Sequence, residues 1–288
     1  MNDYVRLPPR YAVELHGHST ASDGSYPPAE VVAMAAAQGV CVLALTDHDT
    51  VAGIAEAAVA ATQHGIALIP GIELSCSVDA GEVHLLGYFI EAGNANFLAT
   101  LDKFRTGRDT RGQMMVTKLN ALGIPLQWER VEEIADGAVI TRPHIARALI
   151  ELHAATSIED AFTRYLSRGS PAYAERERLR PPDAVRLVRS AGGVPVLAHP
   201  FSVADLDATL TEMVAAGLMG LEAHYGAYTP AQRAELATLA ARHNLLATVG
   251  SDFHGEVHGG AVLGSTPPPP AVVDRLMAAA LRVRASPV

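Results

Sequence analysis

Histidine and acidic residues fall in short clusters at the ends of apolar runs, with the spacing of metal ligands. His16 and His18 stand two apart at the end of a β-like run, so both side chains point to one face, within reach of one ion. Asp23 follows in the turn Ser22-Asp23-Gly24. Thr46-Asp47-His48-Asp49 closes a second run, Gly71-Ile72-Glu73 a third, and His84 begins a fourth. Further on, Ala198-His199-Pro200 ends a run, and Gly250-Ser251-Asp252-Phe253-His254 ends the last, again with two donors two apart. One His or Asp at a strand end is ordinarily a cap or a turn residue. So many ionisable groups at one place are very costly to bury unless cations pair them. The pattern predicts a polynuclear metal site, and the chemistry that suits it is hydrolysis of an anionic ester. His64, His153 and His243 fall on or near polar helix faces and read as surface residues, while the sequence gives His258 no place.

These clusters need a frame that brings strand ends together. Seven β-like runs recur at 11–16, 40–46, 67–74, 83–90, 194–198, 220–224 and 245–250, with alanine-rich helix-like stretches between them. The alternation reads as βαβ units and a parallel sheet, and a barrel is its simplest closure. The rhythm breaks between 104 and 180, where 111–122, 143–152 and 157–166 read as helices with no strong strand among them. This predicts a helical insertion, so that 1–103 and 181–288 form the metal-binding barrel and 104–180 a cap over the substrate. Pro181-Pro182 then starts a helix over 182–190, since proline suits a first turn. Pro267 to Pro270 form a stiff connector into a last helix, 271–283.

With 288 residues, nearly half of them hydrophobic, the chain has ample material for a large core. No stretch approaches the roughly 18 apolar residues of a membrane helix, and no leader is evident, so the expectation is a cytoplasmic protein with no membrane partner. Cys41 and Cys76 lie far apart in apolar segments and read as buried, reduced thiols. A net charge of −9 argues against a protein that coats nucleic acid. The charge is uneven: 103–180 holds 13 Lys and Arg against 10 Asp and Glu, a balance of +3, which leaves −12 elsewhere. A locally basic insertion in an acidic protein suits an anionic substrate.

The motifs His16-Gly-His18-Ser, Ser22-Asp23-Gly24, Thr46-Asp47-His48-Asp49, Gly71-Ile-Glu73, His84-Leu-Leu-Gly-Tyr88, Ala198-His199-Pro200 and Gly250-Ser-Asp252-Phe-His254, in this order, resemble the polymerase and histidinol phosphatase (PHP) family. The resemblance covers both ends of the chain and implies an α/β fold, a distorted seven-stranded (β/α)7 barrel with a helical insertion domain. It further implies that His16, His18, Glu73 and Asp252 hold one metal, that Glu73 bridges to a second held also by His84 and His199, and that Asp23, His48 and His254 hold a third. All nine positions keep a residue able to ligate. Mixed imidazole and carboxylate donors suit two or three divalent ions, Mn²⁺ in preference to Zn²⁺ or Fe²⁺.

The insertion carries a second resemblance. Thr141-Arg142-Pro143-His144-Ile145-Ala146-Arg147, with Gly169-Ser-Pro171-Ala-Tyr173 and the glycine-rich approach to His199, is similar to the subgroup that acts on 3′,5′-nucleoside bisphosphates and on 5′ ends of short oligonucleotides. The implied enzyme is a phosphomonoesterase that removes the 3′-phosphate through a metal-activated hydroxide, with Glu73 and Asp252 at the reacting centre. Arg142 and His144, near a helix start, are candidates to grip a phosphate. Lys118, Arg111 and Tyr173 are weaker candidates, and His224 is placed to reach the substrate or donate a proton. Three other readings compete: a histidinol phosphate phosphatase, a 5′-3′ exonuclease, and a sensor that binds metal or nucleotide without turnover. The sequence gives no indication of oligomeric state.

Overall fold

Seven strands, β1 (Ala12–Gly17), β2 (Val40–Leu45), β3 (Ala67–Val78), β4 (Gly81–Tyr88), β5 (Val194–Leu197), β6 (Gly220–Tyr225) and β7 (Leu246–Gly250), lie side by side in chain order in the computed structural model. It describes residues 12–78, 81–137, 140–174, 179–256 and 261–285; His258 lies outside these. The sheet curls until its edges meet, where Gly17 bridges Phe253 in parallel and the His18 N–H donates to the Phe253 carbonyl at 2.8 Å. The result is a nearly closed α/β barrel.

The expected all-parallel sheet needs correction at one strand. β1 to β2, β2 to β3, β5 to β6 and β6 to β7 pair in parallel, but β4 runs antiparallel to both of its neighbours. The reason is the length of the connection. Only residues 79–80 separate β3 from β4, far too few for the crossover a parallel pair requires. Antiparallel placement brings His84 on β4 opposite Ser75 on β3, so the start of one strand joins the cluster formed at the ends of the others.

Helices cover the outside, and local chemistry sets their limits. In order they are α1 (Pro28–Ala37), α2 (Ile54–His64), α3 (Ala95–Ala121), α4 (Trp128–Ala135), α5 (Arg142–Glu151), α6 (Ile158–Ala161), α7 (Pro181–Ser190), α8 (Leu206–Ala215), α9 (Pro230–Arg242) and α10 (Val272–Ala285). The two prolines at 181 and 182 open α7 as expected. Thr229 and Gln232 form a reciprocal capping box at the start of α9, and Gly65, at φ 68°, ends α2 in the left-handed conformation that glycine adopts without strain.

Where the helical segment begins differs from the expectation. No break falls near 104, because α3 runs through that point for 27 residues, about 40 Å at 1.5 Å per residue. Its first turns bury Phe97 and Leu101 in a core shared with β3, β4, α7 and α8. Its later turns bury Met115, Val116 and Leu119 in a separate core with residues of 126–174, among them Val131, Leu149 and Leu166. One helix thus serves two cores and carries the second over the barrel mouth. Leu119 is fully buried, and truncating such a leucine to alanine costs about 2–5 kcal/mol.

Among the described residues no helix is long and apolar enough to cross a membrane. Neither cysteine is in a disulfide; Cys76 is buried as expected, whereas Cys41 is only partly buried.

Candidate metal centre

All nine sequence-predicted donors converge at the barrel mouth, around Glu73. Its carboxylate is 1% exposed, yet five imidazoles face it. Glu73 Oε2 lies 3.2 Å from His16 Nε2, from His18 Nε2 and from His48 Nδ1. Oε1 lies 3.0 Å from His84 Nδ1 and 3.2 Å from His199 Nε2. Asp252 Oδ1 stands 3.3 Å from both His16 Nε2 and His18 Nε2, and Asp23 Oδ1 stands 3.3 Å from His254 Nε2.

Three overlapping groups have donor atoms within 4.8 Å of one another: His16, His18, Glu73 and Asp252; His48, Glu73 and His84; and His18, Asp23, His48 and His254. The first is the set expected from sequence. In the second, His48 stands with Glu73 and His84 where His199 was expected, and His199 meets Glu73 Oε1 but joins none of the three groups; in the third, His18 joins the expected Asp23, His48 and His254. His18 and His48 each serve twice because their two ring nitrogens face different neighbours.

The donor set fits divalent ions on an observation independent of the motif. His16 Nε2, both ring nitrogens of His18, His48 Nδ1, Glu73 Oε2 and Asp252 Oδ1 are buried without a hydrogen-bond partner. Buried polar atoms are rarely left so, and these belong to residues of the three donor groups.

Backbone geometry does the aiming. Asp49, His199 and Asp252 have positive φ, at 51°, 26° and 57°. Such conformations are costly for residues with a Cβ, and they cluster at functional sites. Gly250 is needed for a different reason: a Cβ there falls 2.3 Å from His16 Cβ and 2.4 Å from Glu222 Oε1.

A second ring of side chains fixes the donors. Glu222, wholly buried on β6, lies 2.9 Å from His16 Nδ1 through Oε1 and accepts the His199 N–H at 2.8 Å through Oε2. A carboxylate behind an imidazole sets its tautomer, so His16 Nε2 is free to face Glu73 and Asp252. Asp47 is no donor to the cluster. It accepts from Ser19 N at 2.7 Å and from Ser19 Oγ and Ser22 Oγ at 2.8 Å, and so shapes the turn that carries Asp23. Glu14 accepts from His16 N, Ser251 N and Gly264 N and ties the first strand to the last. Tyr225 Oη donates to Asp252 Oδ2 at 3.0 Å. Sequence reasoning missed Glu14, Glu222 and Tyr225, although an acid inside an apolar strand such as Gly220-Leu-Glu-Ala is a legible anomaly.

Electrostatics shows what cations would replace. Burial presses hardest on His18, downward, but the Asp252 and Glu73 carboxylates outweigh it and lift its pKa to about 10. His84 reaches about 10 against the same burial, through Glu73 and Glu82. His48 is pushed down to about 3 by burial, with His18 and His84 adding to the effect. Burial also acts to raise Glu73, yet the surrounding imidazoles, His48 first, hold it well below the usual carboxylate range.

Two cavities open on the cluster, and both reach Asp23, His48 and His84. The first, 270 Å³, is roofed by the helical segment through Arg111, Met115, Arg142 and Phe162. Arg142 Nη2 pairs with Glu82 Oε1 at 3.0 Å, and its guanidinium lies 5.1 Å from the Phe162 ring centre. Arg111 Nε donates to the Ala174 carbonyl at 2.7 Å, and its guanidinium lies 5.0 Å from the Tyr173 ring centre. The second cavity, 510 Å³, is walled by Phe201, Tyr225 and Tyr228.

Four expected substrate contacts are not on these walls. His144 is 2% exposed, and its Nδ1 accepts from Thr141 N at 3.1 Å in the capping box of α5, so the ring holds the turn that carries Arg142. Lys118 is exposed and donates to the Tyr173 carbonyl. Tyr173 supports Arg111 from outside the cavity. His224 faces away because β6 shifts register between Leu221 and His224, which turns Glu222 and Tyr225 to the cluster. Its ring meets the Pro267 backbone, and burial and nearby Arg233 lower its pKa.

Comparison with known proteins agrees with this geometry. The model of the PHP domain matches residues 14–120. The 3′,5′-nucleoside bisphosphate phosphatase of Chromobacterium violaceum is 37% identical over 260 residues, covering 88% of this chain and 91% of that protein. The 5′-3′ exoribonuclease of Haemophilus influenzae is 38% identical over 245 residues, covering 84% of this chain and 89% of that protein. Among solved structures, a Bifidobacterium adolescentis protein assigned as a metal-dependent phosphoesterase superposes with a TM-score of 0.84 at 32% identity, over 94% of this chain and 97% of that one.

Proposed function

Because this chain belongs to the PHP family of metal-dependent phosphoesterases, we propose that it removes the 3′-phosphate of 3′,5′-nucleoside bisphosphates, for example converting adenosine 3′,5′-bisphosphate to AMP and phosphate. The observation that carries this reading is the 270 Å³ cavity, with the donor cluster on one side and Arg111 and Arg142 on the other. A substrate with two phosphates has one for each side. The name of the Chromobacterium violaceum relative supports the same substrate.

In this reading the barrel, expected over 1–103 and 181–288, binds the ions, and the segment expected over 104–180, which the chain enters partway along α3, caps the substrate. His16, His18, Glu73 and Asp252 would hold one ion, Glu73 with His84 and His199 a second, and Asp23, His48 and His254 a third. Mn²⁺ is the ion proposed, with Zn²⁺ and Fe²⁺ as alternatives for such donors. Divalent ions there supply Lewis acidity, which neutralises phosphoryl oxygens and makes water a nucleophile at neutral pH. The protein's own groups do the rest. Glu222 and Tyr225 hold His16 and Asp252 in their working orientation. Arg142, kept beside the cluster by Glu82, exchanges that carboxylate for the remote phosphate and grips it with a planar fork. Phe162 and Met115 offer apolar surface to the nucleoside between the two phosphates. A cytoplasmic location is part of the proposal; two cysteines outside any disulfide are compatible with a reducing compartment.

The test is phosphate release by the Mn²⁺-loaded protein from adenosine 3′,5′-bisphosphate, with AMP, histidinol phosphate and a short 5′-phosphorylated oligonucleotide in parallel. Preference for the bisphosphate is expected. Absence of release from all four, with the ions confirmed present, sinks the phosphatase reading and leaves binding without turnover. Preference for histidinol phosphate is not expected, since a cationic amino alcohol would meet Arg111 and Arg142. A second reading, 5′-3′ exonuclease action on short oligonucleotides, is favoured by the Haemophilus influenzae relative and by the second cavity.

A further inference from the structure

The cavity that suits an anion carries an acid of its own. Two carboxylates line it: Asp23 belongs to the donor groups, and Glu82 does not. Glu82 lies on β4 two residues before His84, so strand alternation puts both side chains on one face. It pairs across to Ser77 where His84 pairs to Ser75, which sets it one step farther from Glu73. There Glu82 Oε2 stands 3.7 Å from His84 Nε2, beyond hydrogen-bond range, and Oε1 lies 3.0 Å from Arg142 Nη2.

The two arginines of this cavity are held in different ways. Arg111 is buried and donates to the Ala174 carbonyl, a backbone group that cannot leave its place. Arg142 meets the Glu82 side chain, whose carboxylate is 31% exposed and can turn away. When it does, Arg142 keeps its other supports, the Phe162 ring and a position in the first turn of α5 that the Thr141 and His144 capping box fixes. A carboxylate and a phosphate compete for the same planar fork of donors. A grip on a phosphate that does not react is equally firm before and after the chemical step, so it retains product as well as substrate. A tethered competitor loosens that grip in proportion to the time it occupies the guanidinium.

We propose that Glu82 is a positioning residue acting through Arg142: a displaceable counterion whose return to the guanidinium releases the nucleoside 5′-monophosphate once the 3′-phosphate has been removed. This deepens the bisphosphate reading and rests on it for the identity of the ligand. No covalent bond changes in the exchange. The phosphate leaves with its own charge, and the carboxylate restores neutrality at Arg142.

Calorimetry of AMP with the Mn²⁺-loaded chain reads the exchange directly. Glu82→Gln keeps the shape and removes the competing charge, so the Kd for AMP should tighten by about tenfold, as follows if the carboxylate holds Arg142 about nine-tenths of the time. Most of the change should be slower dissociation, read in stopped flow by chasing fluorescent 2-aminopurine riboside 5′-monophosphate with excess AMP. In turnover of adenosine 3′,5′-bisphosphate KM should fall as well, whereas losing a residue that only braced Arg142 would raise it. Adding Arg142→Ala to Glu82→Gln should abolish the tightening, because both changes act at one guanidinium. Unchanged or weaker AMP binding in Glu82→Gln, a raised KM, or tightening that survives Arg142→Ala overturns the proposal. A wild-type chain that releases no phosphate from the bisphosphate, while Glu82→Gln still tightens AMP binding through Arg142, removes the phosphatase reading and leaves the counterion exchange standing.

Discussion

The barrel mouth and the helical roof meet at the same cavity, yet they are built in opposite ways. At the mouth, nine donors come from strand ends, and each is constrained by several others: Glu73 alone faces five imidazoles. In the roof, single side chains reach down from a separate hydrophobic core, and Arg142 is held by one carboxylate and one ring. A site whose members hold one another fails together when one is removed. A site of independent contacts fails in proportion. Substitutions in the two regions should therefore differ in kind as well as in size.

The largest effect is expected at the centre of the mouth. Glu73→Gln keeps the shape but removes the charge that five imidazoles face, and several kcal/mol of lost ion binding and charge stabilisation corresponds to a fall in turnover of about a thousandfold or more. Metal content by elemental analysis should fall with it. If Glu73→Gln keeps its full complement of ions and its activity, the mouth is not the interdependent unit described here.

Glu222→Gln comes next. The residue touches no expected substrate, but it orients His16 and fixes the His199 backbone. Removing such a partner typically costs about 10–100-fold in metal affinity. Calorimetric titration with Mn²⁺ measures this directly, and rates at saturating metal should largely recover. Arg142→Ala sharpens the contrast from the other side. Charge-assisted hydrogen bonds contribute about 1.5–3 kcal/mol, so kcat/KM for the bisphosphate should fall by about 10–100-fold while metal affinity stays at the wild-type value. An equal loss on a substrate that lacks the 5′-phosphate would take Arg142 out of the phosphate-binding role.

The same contrast explains what could be read from the sequence. The mouth was legible because strand ends repeat one signal: a donor, or two donors two apart, behind an apolar run. The seven runs and the clusters at their ends could be read from it, while the choice of nine donors, which leaves out Asp47 and Asp49, came from the resemblance of the motifs to the PHP family. Helical contacts carry no such repetition. His144, three residues into α5, has the sequence of a phosphate gripper and the geometry of a cap, because its ring folds back on Thr141 N. His224 was misplaced by strict alternation along β6, which the register shift beside it breaks. The antiparallel β4 was missed because a run of apolar residues has no direction. The aromatic wall was invisible because Phe201, Tyr225 and Tyr228 lie on different elements and meet only in the fold.

The smallest expected effect concerns pH, and it should arise at the mouth alone, with opposite sign in the absence and presence of ions. In the ion-free protein His18 and His84 have pKa values raised from 6.5 to about 10, against burial and because of the carboxylates beside them. A raised histidine contributes stability that is fully present below its unfolded value and is lost as pH climbs through the folded one. Between pH 6.5 and 10 the ion-free protein should therefore lose stability, seen as a fall of about a few degrees in melting temperature. The depressed groups do not oppose this window. His48, at about 3, and the lowered Glu73 act on the acid side, where their contributions disappear as pH falls. With ions bound the slope should reverse, because the donors must shed protons to bind, so metal affinity and the stability it confers rise with pH. Melting curves with chelator and with Mn²⁺ across this range test both slopes. Arg142→Ala should leave the two slopes unchanged, whereas Glu73→Gln should flatten both, since it removes the carboxylate that raises His84 and would bind the ions. Parallel curves with and without Mn²⁺ would mean that protons and ions do not compete for the same atoms, which is incompatible with a metal centre at these nine residues.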